Sequence, residues 1–485
     1  MDFNTPILVT IILAVVGLLM PVIDALRRER ISNKAYGIAA SVTLAIVIGV
    51  IIFNILTNNT SNIILTNSVL SNDLFGAFFS IAMLLVSIIS TISSIDYMRK
   101  TPNPAVYYSL MLLSSIGMVL IAYSTDLVML IAAWELMSIP TYVLAAFKKR
   151  DPSSNEAAIK YFIFGALSSG LLIYGISLVY GISGSTNITV VIQSLAHIDE
   201  SLSFIALLAI VTFAAGFGFK MALFPFHMWL PDTYEGSPTT VSSLLAAATK
   251  KAGFAAAIRV IVIGMSAFSV EWGLMFAVVA VLTMTIGNLA ALTQKSLTRM
   301  LAYSSVAQAG YILIGLSVAP YSDLGISSAM FHVMNHAIMK SSAFIAAAAA
   351  IVSISTVNID SFKGLGRRMP VTAIVLTISL LALAGVPPLN GFWSKLYLFT
   401  AAIDASSTVT WGSYLALAGV LNSALSLGYY GWVIRKMYFE PSTSEKVKEP
   451  RIILGVLIFT LIFMVGFGIY PTPLIEFSSL ASPIP

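Results

Sequence analysis

Apolar residues run through this chain in stretches of about 20, separated by short polar joins, and about 20 residues of helix cross roughly 30 Å of hydrocarbon. About fourteen such stretches can be marked, beginning near Pro6, Lys34, Leu74, Pro104, Asp126, Ala157, Phe204, Thr240, Val270, Arg299, Gly325, Val371, Trp411 and Arg451. Glycine and proline within long apolar runs suit helices, since a transmembrane barrel would instead show alternating strands of about 10 residues. The pattern predicts an all-α, polytopic membrane protein of about 14 transmembrane helices. Composition agrees: of 485 residues, 58% are apolar and 10% charged, too few polar groups to clothe a water-facing surface. The first span lacks a basic leader and is too long for a signal core, so it is expected to be retained.

The net charge of +5 is laid out by topology rather than gathered into a nucleic-acid-binding face, so the expected partner is a bilayer and not nucleic acid. Alternate joins carry it: Arg27, Arg28, Arg30 and Lys34; Arg99 and Lys100; Lys148, Lys149 and Arg150; Lys295 and Arg299; Lys363, Arg367 and Arg368; then Arg435, Lys436, Lys446, Lys448 and Arg451. Residues 57–72 and 187–203 contain no lysine or arginine. By the positive-inside rule both termini lie outside. The sequons at Asn58, Asn59 and Asn187 fall in outside joins, but such triplets arise often by chance. The chain has no cysteine, which excludes thiolate-held iron–sulfur clusters, zinc ribbons and disulfides here and places any redox centre on another chain. There is no Walker loop, no strand-framed Gly-x-Gly-x-x-Gly and no nucleophile triad.

Two segments 180 residues apart share the pattern Asn-x-Ala-x-x-Lys: Asn155 to Lys160 and Asn335 to Lys340. At about the same separation, Ala215 to Lys220 resembles Ala384-Gly385 continued through Gly391 to Lys395. The pairs match the sixth span with the eleventh and the seventh with the twelfth. Five helices per copy is an odd number, so the second copy lies inverted, a plan common in transporters with interrupted helices near the midplane. The expected interruptions are Gly216 to Gly218 in helix 7 and Gly385 to Gly391, with Pro387 and Pro388, in helix 12. The expected units are 1–103 for helices 1–3, 104–268 for helices 4–8, 269–438 for helices 9–13 and 439–485 for helix 14.

Glu135, Lys160, Lys220, Lys250, Lys251, Lys340 and Lys395 all fall inside predicted spans. A charge at a helix centre costs about 2.5–3.5 kcal/mol even on the lenient insertion scale, so several together ask for a function, and chains of such residues are proton relays. Glu135 lies mid-span just before Pro140, and a static ion pair is its bland alternative. Lys220 is read as following the helix 7 break, with Lys395 as its counterpart in helix 12. Adjacent Lys250 and Lys251 point about 100° apart. Lys250, on the small-residue face from Ala246, is favoured for the file, and Lys251 is read as an interface or second-partner lysine. Lys160 follows Glu156 by four residues, so an interfacial ion pair competes with a relay role. His332, His336 and Lys340 recur every fourth residue and stack on one helix face, as a proton relay between the two halves or else a satisfied structural network. Two histidines so spaced can bind zinc, but the metalloprotease glutamate is missing and no metal site is expected. His227, Asp232 and Glu235 form an intake funnel or cap a loop, and Arg259 is read as interfacial on the outer side.

Four stretches resemble one family over their whole lengths: W-E-L-M-S-I-P-T-Y-V-L-A-A-F (134–147), N-E-A-A-I-K-Y-F-I-F-G-A-L-S-S-G-L-L-I-Y-G (155–175), F-K-M-A-L-F-P-F-H-M-W-L-P-D-T-Y-E-G-S-P (219–238) and G-N-L-A-A-L-T-Q-K-S-L-T-R-M-L-A-Y-S-S-V-A-Q-A-G-Y (287–311). They are similar to the antiporter-like subunits of respiratory complex I, above all the N subunits of NADH:quinone oxidoreductases. The resemblance covers nearly everything from the fourth span onward. It implies proton-carrying roles for Glu135, Lys160, Lys220, Lys250 and Lys395. It also implies a prokaryotic plasma membrane, neighbours of the M, L, K, A, J and H types, and quinone, flavin and iron–sulfur clusters on partner subunits. The stripe of His332, His336 and Lys340 looks more like L-type and cation/proton-antiporter relatives, whereas the absence of a long lateral arm after the last span suits N or M. A subunit of a multi-subunit Na⁺/H⁺ antiporter or of a membrane-bound hydrogenase remains the alternative, although a lysine file offers no oxygen cage for Na⁺.

Overall fold

The computed structural model describes residues 5–27, 31–57, 60, 68–99, 101–441 and 445–483. Arg28, Arg30, Asn58, Asn59 and Lys100 lie outside the described residues. The chain folds into α1 (Thr5–Leu26), α2 (Asn33–Leu56), α3 (Leu74–Tyr97), α4 (Pro104–Tyr123), α5 (Leu127–Ala145), α6 (Pro152–Ser183), α7 (Ile188–Ala196), α8 (Ser203–Met221), α9 (Leu230–Gly236), α10 (Thr239–Leu244) and α11 (Lys250–Ala257). It continues as α12 (Ser269–Leu292), α13 (Leu297–Ser317), α14 (Leu324–Ile354), α15 (Leu365–Arg368), α16 (Pro370–Ala384), α17 (Asn390–Asp404), α18 (Trp411–Phe439), α19 (Arg451–Ile469) and α20 (Thr472–Leu480). Among the described residues, twelve helices are long and apolar enough to cross a membrane. The other two expected spans are composite: α16 with α17 across a break, and residues 239–263, where π-helical turns at Leu245–Thr249 and Ile258–Ile263 flank α11. Among the described residues there are no strands, only isolated bridges.

Local chemistry sets the ends. Ser32, Asp73, Asp126, Asp151, Asn187 and Ser296 accept the first free N–H groups of their helices, and Pro104, Pro152 and Pro370 occupy first-turn positions where a missing N–H costs nothing. α13 and α14 are buried along almost their whole length, whereas α1, α2 and α6 turn residues such as Ile11, Phe53 and Leu167 outward. The bundle therefore has a protein-enclosed centre and an apolar exterior suited to lipid or to neighbouring subunits.

The basic joins meet at one end of the bundle: Lys148 reaches Tyr97, Lys436 pairs with Asp360 at 2.9 Å, and the amide of Ile452 binds Asp96. Two backbone links are laid out alike, about 170 residues apart, at positions that the expected repeat would pair. Leu127 N bonds Thr186 O while Ile188 N bonds Thr125 O, and Leu297 N bonds Val357 O while Ile359 N bonds Lys295 O.

The interruption in helix 7 is displaced from its expected place. α8 runs unbroken through Gly216–Gly218, and the chain leaves the helix at Ala222 (φ 56°) to re-enter one at Leu230. The glycine serves packing instead: a Cβ on Gly216 would lie 2.6 Å from Leu172, and Ser168 on α6 donates to the Gly216 carbonyl. Lys220 therefore precedes its break, in the last turn of α8, while Lys395 follows its own. The helix 12 break falls where expected, between Gly385 (φ 88°) and Asn390.

Candidate functional site

Five lysines and two histidines meet in the bundle's centre, each at most 3% exposed: Lys220, Lys250, Lys251, His332, His336, Lys340 and Lys395. α8 brings Lys220 against α5 and α6, where its amine donates to Ser138 Oγ at 3.0 Å and Tyr161 Oη at 2.9 Å and lies over the rings of Trp134, Tyr142 and Tyr161. Gly253, one turn past Lys250, lets α11 approach closely, since a Cβ there would lie 3.4 Å from that of Lys220. Lys250 donates to the Ser305 carbonyl at 2.7 Å. Lys340 donates to Ser304 Oγ at 2.7 Å and the Leu301 carbonyl at 3.1 Å, and Ser304 in turn bonds Tyr430. Lys395 donates to the Ala384 carbonyl, freed by the break, and to Ser423 Oγ, 4.3 Å above the ring of Tyr311.

Lys251 is the principal correction. It is fully buried, not interfacial, and its amine bonds His336 Nδ1. Adjacent lysines can both point inward here because every residue of α11 is buried, with α3, α4 and α8 packed around it. The rings of His336 and His332 stack with centroids 6.1 Å apart. Gln308 donates to the Leu383 carbonyl, so its Oε1 accepts from His332 Nε2 at 3.0 Å. His332 Nδ1 then faces Ser394 Oγ at 2.9 Å, an acceptor when the ring is neutral and a donor when it is charged. The hydroxyl can turn instead to the Gly391 carbonyl, so both states are satisfied. Ser394 adjoins Lys395 in sequence, so α17 carries both the partner of His332 and the last lysine.

The remaining candidates lie at the margins. Glu135, half-buried, accepts from Ser169 on α6, and among the described residues it enters no ion pair. Lys160, 38% exposed, bridges Glu156 at 2.7 Å and Asp232 at 2.6 Å, so the expected pair exists within a larger cluster that Arg299 closes by binding Asp232 and Glu235. His227 is buried in the helix 7 break, and among the described residues its Nδ1 has no partner. Arg259 is not interfacial: it is buried against Asp73 at 2.7 Å, donates to the Ala122 carbonyl, and lies 4.7 Å from the Phe75 ring. Sequence reasoning missed Asp73, Gln308 and the hydroxyls of Ser138, Tyr161, Ser304, Ser394 and Ser423. A glutamine and serines inside apolar spans were the available signal, but such residues are common enough in helices that only their aim distinguishes them.

Among the described residues, none of the five central lysines has a carboxylate within ion-pair distance. Their partners are hydroxyls, carbonyls and an imidazole, groups that can satisfy an amine in either protonation state. The arrangement is a group of buried ionisable side chains in a membrane-spanning bundle.

Residues 124–426 match the family described as NADH:quinone oxidoreductase/Mrp antiporter, TM. The chain belongs to this family of polytopic membrane subunits. It is 42% identical over 424 residues to F(420)H(2) dehydrogenase subunit N of Methanosarcina mazei, covering 85% of this chain and 84% of that one. It is 38% identical over 474 residues to NADH-quinone oxidoreductase subunit N of Heliobacterium modesticaldum, covering 97% of each. Its fold matches a chain of respiratory complex I from Thermus thermophilus with a TM-score of 0.80 at 27% identity, over 96% of this chain and 98% of that one.

Proposed function

We propose that this chain is an N-type, proton-translocating membrane-arm subunit of a complex I-type quinone oxidoreductase, driven by electron transfer in other subunits. Its file is Glu135, Lys160, Lys220, Lys250, His332, His336, Lys340 and Lys395, with Lys251 added. The observation that carries this reading is the set of five buried lysines held by neutral groups, since a static ion-pair network would put a carboxylate beside each. A proton enters near the cluster of Lys160, Asp232 and Arg299 and reaches Lys220. It passes through Lys250 and Lys251 to His336 and His332, and leaves by way of Lys395, with Lys340 as a side store. Moving one proton against 150 mV costs ~3.5 kcal/mol. Tenfold changes in proton affinity at ~1.36 kcal/mol each can transmit that from one site to the next.

The two like-bonded loop links, at Asp126 with Asn187 and Ser296 with Asn358, support two inverted five-helix repeats, 104–268 and 269–438, between 1–103 and 439–485. The clustering of basic joins at one end supports both termini outside, and the sources of the relatives support a prokaryotic plasma membrane. Quinone, flavin and iron–sulfur clusters then belong to partners, with M-, L-, K-, A-, J- and H-type subunits as the expected companions.

The test is proton translocation by the intact complex in vesicles. Lys220→Ala and Lys395→Ala are each expected to abolish this subunit's share, and unchanged pumping with continued electron transfer would falsify the scheme. Purification in mild detergent addresses the antiporter alternative: co-purifying flavin and iron–sulfur subunits support the respiratory pump, and only small hydrophobic companions would overturn it.

A further inference from the structure

Away from the file, at the basic end of the bundle, α3, α4, α5 and α6 enclose a cavity of about 1090 Å³. Its two characters lie in different places. Lys148, Lys149 and Arg150, all exposed, line the rim, and among the described residues none of them has a carboxylate partner. Lys148 instead donates to Tyr97 Oη at 3.3 Å and sits 5.3 Å over that ring. The one carboxylate in the lining, Asp151, is turned to the amide of Ser153 as the cap of α6. Asn103 at the start of α4 makes no side-chain cap, so the positive end of that 20-residue helix also opens here. The wall is apolar: Val106 on the first turn of α4 and Val143 on the last turn of α5 both line the cavity and are 41% and 46% exposed on the bundle's exterior.

We infer that this cavity binds an anionic phospholipid, its phosphate among Lys148, Lys149 and Arg150 and an acyl chain along Val106 and Val143. Three unneutralised cations beside an open apolar wall fit a ligand that is anionic at one end and hydrocarbon at the other, and basic pockets between membrane helices take such headgroups. Free phosphate would use the rim and leave the wall without purpose. A partner subunit would have to supply its own buried carboxylates there.

The probe is spin-labelled phosphatidylglycerol added to the delipidated intact complex, with phosphatidylcholine as control. The wild type is expected to prefer the anionic lipid at least tenfold, and Lys148→Gln/Lys149→Gln/Arg150→Gln to erase that preference, since each cation near a membrane surface contributes roughly fivefold. Val143→Trp, which fills the wall and keeps the charges, is expected to weaken the same lipid. The inference is overturned if the triple variant retains the preference, if inorganic phosphate displaces the lipid at millimolar concentration, or if Lys149 cross-links to a partner subunit that excludes the lipid.

Discussion

A buried amine surrounded by hydroxyls and a buried guanidinium locked to a carboxylate are both present here, and they call for different experiments. For Lys251 and His336, which touch, the expectation is non-additivity. Lys251→Met and His336→Leu should each impair proton translocation, and the double variant should be little worse than the worse single one. Losses that multiply independently in vesicle assays would show that the two residues do not act as a unit. For Arg259 and Asp73, both buried, the expectation concerns stability. Asp73→Ala leaves a charge without its partner and should destabilise the subunit by about 3–5 kcal/mol, read as earlier unfolding in denaturing detergent, whereas Asp73→Leu/Arg259→Leu should recover much of that loss.

At the scale of elements, the two helix breaks set where the lysines stand. Ala222 holds a left-handed backbone that costs an alanine about 1 kcal/mol. Ala222→Gly is expected to stabilise the α8–α9 join by roughly that amount, and lowered thermal resistance of the complex would contradict it. In the other break a Cβ on Gly391 would collide with the Ala382 carbonyl. Gly391→Ala should therefore displace α17 and Lys395 with it, detected as loss of pumping together with increased protease cutting near Gly385. Glycines also hide their role from sequence: Gly216 to Gly218 read like an interruption, and the helix runs straight through them because α6 packs there.

For the whole molecule, the basic end is tied together by ion pairs between joins. Lys436 bonds Asp360 and Glu440, and holds both carboxyls below their usual range, with Lys363 adding to the effect. A depressed carboxylate contributes stability that is present above its unfolded value, about pH 4, and is lost as pH falls through the folded one. Hydrogen exchange across residues 359–368 should therefore rise only below about pH 4. A rise beginning near pH 6 would show that other groups tie the joins.

The sequence by itself determined the solvent, the helical fold, the one-sided basic joins and the identity of the ionisable groups that lie buried in the bundle. These follow from local quantities: run length, charge position and residue type. The tertiary structure decided aim. Whether Lys251 points to lipid or to His336, and whether Arg259 faces water or Asp73, depends on which helices close around each residue. Whether Gln308 matters depends on the carbonyl that α16 presents to it. Those are contacts between residues far apart in the chain, and no local pattern of apolar and polar positions encodes them.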